Sequence, residues 1–216
     1  TYKFGFQGIT AGGWLAEKLR DEYGMKTDSY DFGSNQDMYN VVNKGDRKEV
    51  FFYARPVTER RGFDLGLMAL ELFHQEMPDY TIHLAGWDIS EWYVPFPHIN
   101  HKALSISELN GIYNRCSAAL VMSLTNMSLL PLELLSSGVI PVVNDGKNNR
   151  LVSDNPNIEY TEPSPRALAD AMIRSVKRNE KSQLSKKLSK SVPSNGWDKT
   201  GEKFISILEK ELERES

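Results

Sequence analysis

The stretch EVFFYARPVTERRGFDLGLMALELFHQEMPDYTIHLAG, residues 49–86, decides the fold class of this 216-residue chain. It opens with an apolar run of strand length, EVFFYA, and closes with another, YTIHLAG. Between the two runs, apolar residues recur at the spacing of one helix face, namely Leu65, Met68, Ala69 and Leu72. Pro78 ends that pattern, so the stretch predicts a strand, a helix and a second strand.

The same alternation continues along the chain. AALVMS, VIPVVN and IEYTE read as strands, and SLLPLELLSSG and SPRALADAMIRSVKR read as helices, ended by Gly138 and capped by Ser164 respectively. Another helix starts at Ser105 or Ser107, before Glu108. Short loops and continuously apolar strands predict an α/β fold, a Rossmann-like doubly wound parallel sheet with helices on both faces.

The beginning of the chain has its own strand-helix-strand pattern. YKFGFQG reads as a strand closed by Gly8, a helix runs from about Gly12 to Gly24, and MKTDSYDFG reads as a second strand. The stretch SNQDMYNVVNKGDRK then reads as a polar linker with about one helical turn. Because the chain opens abruptly, without Met, we expect a part of a longer protein.

Three units follow from these patterns. We expect residues 1–40 to be the last piece of an N-terminal domain plus a linker. Residues 41–195 would form the Rossmann-like domain, and residues 196–216 a C-terminal helix.

Composition narrows the class of protein. Hydrophobic residues make up 40% and charged residues 25%, and a net charge of −3 argues against nucleic acid as a partner. No apolar run is long enough to span a membrane, and the start lacks the pattern of a signal peptide, so we expect a cytoplasmic protein. The single cysteine, Cys116, reads as a small buried hydrophobe.

A cluster of arginines follows the strand EVFFYA: Arg55, Arg60 and Arg61, with Gly62 directly behind them. Ligands of doubly wound sheets bind outside the carboxyl ends of the strands. A guanidinium fork matches phosphate, and Gly62 lets the backbone of the next helix approach an anion closely. One interpretation is therefore a phosphate site. The other is a solvated loop in which the arginines pair with Glu59 and Asp64.

A polar loop, Thr125-Asn126-Met127-Ser128, leads from the strand AALVMS into the helix that carries Glu133. Its small side chains and free backbone N–H groups suit a sugar or a phosphate. Glu133 stands among apolar residues in LLPLELL, where an acid needs a partner such as a pair of hydroxyls. The alternative is an ordinary exposed helix residue.

These stretches resemble the C-terminal, donor-binding domain of GT-B glycosyltransferases over roughly residues 49–180. YARPVTERRGFDLGLMAL is similar to the beginning of that domain, and KALSISELNGIYNRCSAALVMS to a later segment. SLTNMSLLPLELLSSGVIPVV is similar to the family's motif of two glutamates separated by seven residues, with Glu133 as the second and Thr125 in place of the first. RRGF and TNMSLLPLE most resemble bacterial rhamnosyltransferases that build surface polysaccharides.

The resemblance implies roles for the matching residues. The donor diphosphate would be bound by Arg55, Arg61, Gly62, Asn126, Ser128 and Leu129. The donor sugar would contact Thr125 and Asn126. The nucleoside would be bound by Glu133, Gly86, Trp87, Lys102, Ala103 and Leu104. The lost glutamate at Thr125 departs from the family pattern, and a 6-deoxy donor such as dTDP-L-rhamnose is one reason for such a departure.

The resemblance also implies transfer without a metal or other cofactor, because the arginines stabilise the departing nucleoside diphosphate. The acceptor, a glycan or a lipid-linked glycan, would be held by an N-terminal domain, and no catalytic base is assigned. Two alternatives stay open. One is a non-catalytic module that senses a nucleotide or sugar phosphate, favoured only by Thr125. The other is a sugar-nucleotide epimerase, for which no catalytic acids and histidine are found.

Three weaker signals have mainly structural interpretations. His98 and His101 in PHINH are poor support for a metal site without further ligands. The aromatic stretch WDISEWYVPFP either covers the nucleotide, touches another domain or packs on its own surface. The basic stretch from Arg174 to Lys190 reads as a solvated helix face, and peripheral contact with the inner face of the plasma membrane is the alternative.

Overall fold

The computed structural model describes residues 2–43, 45–180, 184–194 and 196–215. Near the N-terminus, strand β1 (Gly8–Ala11), helix α1 (Gly13–Tyr23) and strand β2 (Thr27–Tyr30) form a small unit with a two-stranded parallel sheet. Helix α1 ends, as predicted, at Gly24, whose φ of 63° is one that glycine adopts without strain.

A second, six-stranded sheet makes up the body of the molecule. Its strands in chain order are β3 (Glu49–Tyr53), β4 (Thr81–Ala85), β5 (Ile99–Asn100), β6 (Cys116–Val121), β7 (Ile140–Asn144) and β8 (Glu159–Thr161). All are parallel, in the spatial order β5-β4-β3-β6-β7-β8. The chain therefore reverses direction across the sheet between β3 and β6, which makes the topological switch point of a doubly wound fold. The predicted fold class is confirmed.

Helices lie between the strands and after the last one. They are α2 (Phe63–Glu76), α3 (Ile106–Tyr113), α4 (Leu130–Ser136), α5 (Lys147–Arg150), α6 (Pro165–Asn179), α7 (Ser185–Lys190) and α8 (Gly196–Glu215), with a 3-10 turn at Glu59–Arg61 before α2. Ser105 and Glu108 form a reciprocal capping box on α3, and the Ser164 hydroxyl accepts from Ala167 N at the start of α6. Both predicted helix starts are thus confirmed.

The sequence misplaced some local features. The first strand begins at Gly8, where the prediction ended it, and the aromatic residues before it, Phe4 and Phe6, are exposed. The buried face of α2 is also different from the predicted one, since Met68 is 55% exposed while Leu67 and Leu70 are buried. An almost wholly apolar helix offers several possible faces, and packing on the sheet selects one. Strand β5 and helix α5 were not predicted, because each is too short for a periodic pattern.

The predicted polar linker is partly core. Tyr39 is buried against Tyr113, with ring centroids 6.0 Å apart. Arg47 is fully buried, and its guanidinium donates to Ser137 O and Gly138 O just past the end of α4, at 3.1 and 2.9 Å. The predicted single turn is present, since Tyr39 N donates to Asn35 O, four residues earlier, at 2.9 Å. Long-range hydrogen bonds fix the segment to the large sheet.

Helix α8 returns to the N-terminal unit and packs against β2. The Thr200 hydroxyl donates to Asp31 O at 2.7 Å, and the rings of Tyr30 and Phe204 lie 6.2 Å apart. Close backbone contact between Gly33 and Gly196 lets the two connecting segments meet. None of the described helices is long and apolar enough to cross a membrane.

Candidate functional site

The switch point brings two sequence-distant loops together. Leu124 N, after β6, donates to Arg60 O, after β3, at 2.9 Å. A Cβ on Gly62 would lie 3.3 Å from the Met122 side chain, so the start of α2 fits closely against the end of β6. The arginine cluster and the polar loop 123–129 therefore form one surface at the carboxyl edge of the sheet.

The three arginines form no ion pair with a carboxylate of the described residues. Among the described residues, neither Glu59 nor Asp64 forms an ion pair with Arg55, Arg60 or Arg61, so the interpretation as a salt-bridged loop is wrong. Instead, Arg55 lies between the rings of Tyr53 and Trp87, its Cζ 5.8 Å from each centroid, and donates to the Tyr53 hydroxyl at 3.0 Å. Its buried Nε has no hydrogen-bond partner, and such a donor is costly to leave unsatisfied.

Arg61 stands in an environment that disfavours its charge. Burial, followed by the nearby positive charges of Arg60 and Arg55, lowers the pKa of its guanidinium, although the Tyr53 ring hydroxyl opposes this. An anion placed between Arg55 and Arg61 would relieve that repulsion. The cluster therefore has the electrostatics of an anion site.

Asparagine side chains hold the loop after β6. Asn144 Oδ1 accepts from Ser123 N at 2.8 Å, and Asn148 Nδ2 donates to Thr125 O at 2.5 Å. Asn149 Nδ2 donates to Ser123 O at 3.1 Å. These bonds engage the Ser123 N–H and the carbonyl groups of Ser123 and Thr125, while the backbone N–H groups of residues 125–129 donate to nothing in the described part of the chain. The loop thus presents fixed donors and suits an anion or a sugar.

Asn126 makes a contact that its predicted role did not include. Its Nδ2 donates at 2.8 Å to Ala11 O, at the end of β1 in the N-terminal unit. Its Oδ1 is buried without a partner. Gly13 N, at the start of α1, also donates to Leu151 O at 3.2 Å, so the N-terminal unit borders the candidate site.

Glu133 is half-buried, and it faces the Tyr39 hydroxyl. Burial raises the pKa of its carboxyl, and the hydrogen bond from Tyr39 lowers it in part. Conversely, burial and the Glu133 charge raise the pKa of Tyr39 to about 12. The interpretation as an ordinary exposed residue is wrong, and within the protein the Tyr39 hydroxyl is the neighbour of this acid.

The remaining predicted residues lie at the ends of β4 and β5. Gly86 has a φ of 117°, and a Cβ there would lie 2.6 Å from the Tyr53 ring, so only glycine fits. Gly86 N donates to Lys102 O at 2.7 Å. Just beyond Lys102, Ala103 is exposed and Leu104 is half-buried.

Three residues that the sequence did not single out support the site: Tyr53, Asn144 and Asn148. Tyr53 orients Arg55, and the two asparagines hold the polar loop. Their only signal in the sequence is position, since each lies at or just beyond the carboxyl end of a predicted strand.

The structure also places the weaker signals of the sequence. His101 Nε2 lies 2.7 Å from Nδ1 of buried His83, and the described residues contain no group of three metal-ligating side chains. Phe96 packs in the core, whereas Tyr93 of the same aromatic stretch is 86% exposed. Cys116 is buried, as predicted, and burial raises the pKa of its thiol. In the basic stretch, Arg174 and Arg178 pair with Glu159, and residues 181–183 lie outside the described residues.

Comparison with known proteins identifies the family. The family described as "WsaF, C-terminal domain" matches residues 48–173, more than half of the chain. The chain belongs to this family. It is also 29% identical over 206 residues to the O-antigen biosynthesis protein RfbC of Myxococcus xanthus, covering 92% of this chain and 16% of that protein. The chain thus spans about a sixth of the length of this relative.

Solved structures support the fold. Sucrose-phosphate synthase from Thermosynechococcus elongatus superimposes with a TM-score of 0.70 at 14% identity, covering 97% of this chain and 59% of that one. An S. aureus TarM mutant, in complex with fondaparinux, alpha-GlcNAc-glycerol and UDP, gives 0.73 at 14% identity, over 92% of this chain and 43% of that one. Pneumococcal O-GlcNAc transferase GtfA, in complex with UDP and GlcNAc, gives 0.67 at 17% identity, over 95% and 45%. This member of the WsaF family has the fold of a GT-B glycosyltransferase C-terminal domain.

Proposed function

We propose that this chain binds the nucleotide-sugar donor of a glycosyltransferase that builds a surface polysaccharide. The observation that carries the proposal is the pair Arg55 and Arg61 at the switch point, which pair with no carboxylate of the described residues and lie on segments joined to a loop of unused N–H groups. The relative named for O-antigen biosynthesis and the UDP complexes of proteins with the same fold support the choice of ligand and process.

The chemistry follows from where charge develops. When the sugar leaves, negative charge accumulates on the nucleoside diphosphate, and preorganised donors stabilise that charge. Arg55, Arg61 and the N–H groups of residues 125–129 supply such donors, each charge-assisted bond contributing about 1.5–3 kcal/mol. Positive side chains thereby do the work that a divalent cation does elsewhere, and the proposal includes no metal or other cofactor.

The other residues would complete the donor site. Glu133 would accept hydrogen bonds from the ribose hydroxyls, and Trp87 with residues 102–104 would contact the base. Thr125 and Asn126 would face the donor sugar. We assign dTDP-L-rhamnose as the donor, because the resemblance to rhamnosyltransferases in TNMSLLPLE accompanies the replacement of a glutamate by Thr125. The acceptor glycan, free or lipid-linked, would be bound by another part of the whole protein.

The second candidate is a non-catalytic module that binds a nucleotide or a sugar phosphate. Thr125 favours it, since the side chain at this position carries no charge to orient a donor sugar. Both candidates use the same arginines, so binding alone does not distinguish them, but turnover by the whole protein does. Hydrolysis or transfer of a nucleotide sugar would contradict the non-catalytic module.

Calorimetric titration with dTDP, UDP, GDP and ADP tests the proposal. We expect one of them, dTDP if the donor assignment is right, to bind, and Arg61→Ala to weaken it about 10–100-fold, the value of one charge-assisted bond. Arg174→Ala is the matched control, because Arg174 pairs with Glu159 at the opposite edge of the sheet. Since burial and like charges disfavour the Arg61 charge, Arg61→Ala should melt no lower than wild type.

Equal binding by wild type and Arg61→Ala would contradict the diphosphate site. Loss of binding accompanied by a lower melting temperature would instead indicate that Arg61 holds the fold together.

A further inference from the structure

Asp88, in the loop after β4, is the centre of a hydrogen-bonded cluster. Its Oδ1 accepts from Ser90 N at 3.1 Å, from Ser90 Oγ at 2.6 Å and from Asn100 Nδ2 at 3.1 Å. Its Oδ2 pairs with Lys102 Nζ at 3.0 Å. Led by the Ser90 hydroxyl and then by Lys102, these contacts hold the pKa of the Asp88 carboxyl well below its usual range.

Lys102 has an unusual backbone conformation. Its φ is 58°, the one positive φ outside glycine in the described residues. A long side chain in this region is strained, and such strain persists only where surrounding contacts impose it. Here Lys102 N donates to Asn100 Oδ1 at 3.1 Å, while Lys102 O accepts from Gly86 N at 2.7 Å.

Lys102 therefore contacts both residues that flank Trp87. Its carbonyl holds Gly86 on one side, and its ammonium holds Asp88 on the other. Trp87 itself makes no hydrogen bond with another described residue; the residue is 40% exposed, and the centroid of its ring lies 5.8 Å from Arg55 Cζ. These contacts hold the loop on both sides of Trp87, whose partly exposed indole lies beside the arginine cluster.

We propose that Asp88 is a positioning residue: through its ion pair with Lys102 it holds the Trp87 indole as the platform for the base of a nucleoside diphosphate. The inference rests on the proposed function, in which Arg55 binds the diphosphate. A flat, partly exposed indole beside a phosphate-binding guanidinium suits a ligand that has both an aromatic and an anionic part. Asp88 contacts no part of that ligand itself.

Asp88→Asn separates the ion pair from the rest of the cluster. Asparagine keeps an Oδ1 that accepts from Ser90 and Asn100 but presents an amide to Lys102. Lys102→Met removes the same pair from the other side. Asp170→Asn, which breaks the exposed ion pair with Arg166 in α6, is the control for loss of an acidic charge.

The experiment compares two ligands on each variant: inorganic pyrophosphate, and whichever of dTDP, UDP, GDP or ADP binds wild type most tightly. Exposed ion pairs contribute up to about 1 kcal/mol, so Asp88→Asn should weaken nucleotide binding up to about fivefold. Pyrophosphate, which has no base, should bind as to wild type. Lys102→Met, which also changes a residue placed beside the base, should weaken nucleotide binding at least as much as Asp88→Asn, and the double variant no more than Lys102→Met.

Equal weakening of both ligands would overturn the inference, because it would show a general structural role for the cluster. Unchanged nucleotide binding in Asp88→Asn would overturn it as well. If wild type bound neither ligand, the proposed function would fail, and this inference with it. A failure of the proposed function can therefore be distinguished from a failure of the positioning role alone.

Discussion

At the scale of single residues, the Glu133 carboxyl carries its charge where burial makes that charge unfavourable. Its folded pKa is raised from the ordinary value of 4.5, chiefly by burial and against the hydrogen bond from Tyr39. Stability from this group is therefore complete below pH 4.5 and falls as the pH rises toward the folded pKa. A carboxylate kept at this cost is typical of a functional position.

Glu133→Gln should accordingly be more stable than wild type at pH 7. It should also bind nucleotide more weakly, by about tenfold or more, since hydrogen bonds to a charged acceptor contribute about 1.5–3 kcal/mol. Urea unfolding at pH 4 and pH 7 with calorimetry measures both effects. The stability gain should vanish at pH 4. A variant that binds normally would remove Glu133 from the site.

His83 and His101 form a second buried titrating group, faced by Glu49 and Arg115. Glu49 Oε2 lies 2.6 Å from His83 Nε2, His101 Nε2 lies 2.7 Å from His83 Nδ1, and Arg115 Nε donates to Glu49 Oε2 at 2.8 Å. Burial lowers the pKa of both rings, opposed by Glu49. If both rings were protonated, the N–H groups at His83 Nδ1 and His101 Nε2 would also point at each other.

Because the folded pKa values are lowered, the stability from this pair is complete above the ordinary value of 6.5 and is lost as the pH falls below it. We expect the free energy of unfolding to fall as the pH is lowered from about 7.5 to about 5.5, one unit either side of an ordinary histidine pKa. Denaturant titration at each pH measures it. In His101→Gln the free energy of unfolding should depend less on pH, because the histidine pair is lost. His98→Gln leaves the pair intact and should show the pH dependence of wild type. An unchanged slope in His101→Gln would contradict this account.

At the scale of elements, helix α2 approaches strand β3 through Gly66. A Cβ on Gly66 would lie 2.3 Å from Cζ of Phe52, so the helix can lie this close to the sheet only without a side chain there. That approach also sets the position of Gly62 and the arginines at the start of the helix.

Gly66→Ala should destabilise the protein by about 1–3 kcal/mol through overpacking. Gly111→Ala is the matched control, because Gly111 lies inside α3 with open space at its Cβ position. It should gain about 0.5–1 kcal/mol from the better helix propensity of alanine. Urea midpoints shifting in opposite directions would support this packing, and equal shifts would contradict it.

At the scale of the whole molecule, the N-terminal unit and α8 meet the large sheet through two connecting segments that touch at Gly33 and Gly196. A Cβ on Gly33 would lie 2.4 Å from Trp197 N. Because the clash is with backbone, the segments must separate if Gly33 acquires a side chain.

Gly33→Ala should therefore loosen the N-terminal unit and α8 while the six-stranded sheet stays intact. Amide hydrogen exchange should rise in β1, β2 and α8 but not in β3 or β6, with local opening energies lowered by about 1–3 kcal/mol. Gly201→Ala, with open space at its Cβ position in α8, is the control. Uniform loss of protection would mean that all parts unfold as one cooperative unit.

The sequence by itself determined the local order of this protein. The apolar runs of β3, β6 and β7, the cap at Ser105 and the glycine after α1 are each set by neighbours within a few residues. Period and capping are local properties, so they predicted the α/β class, and the motif resemblance predicted the GT-B family. The division at residues 40 and 195 and the roles of the site residues stay predictions.

Only the tertiary structure decided which distant residues meet. The neighbouring positions of β3 and β6 bring Arg60 O to Leu124 N, and the burial of Arg47 and Tyr39 depends on contacts with α4 and Tyr113. The Asp88–Lys102 pair joins the loops after β4 and β5. Such contacts depend on the free energy of packing whole elements, which no local pattern of hydrophobicity specifies.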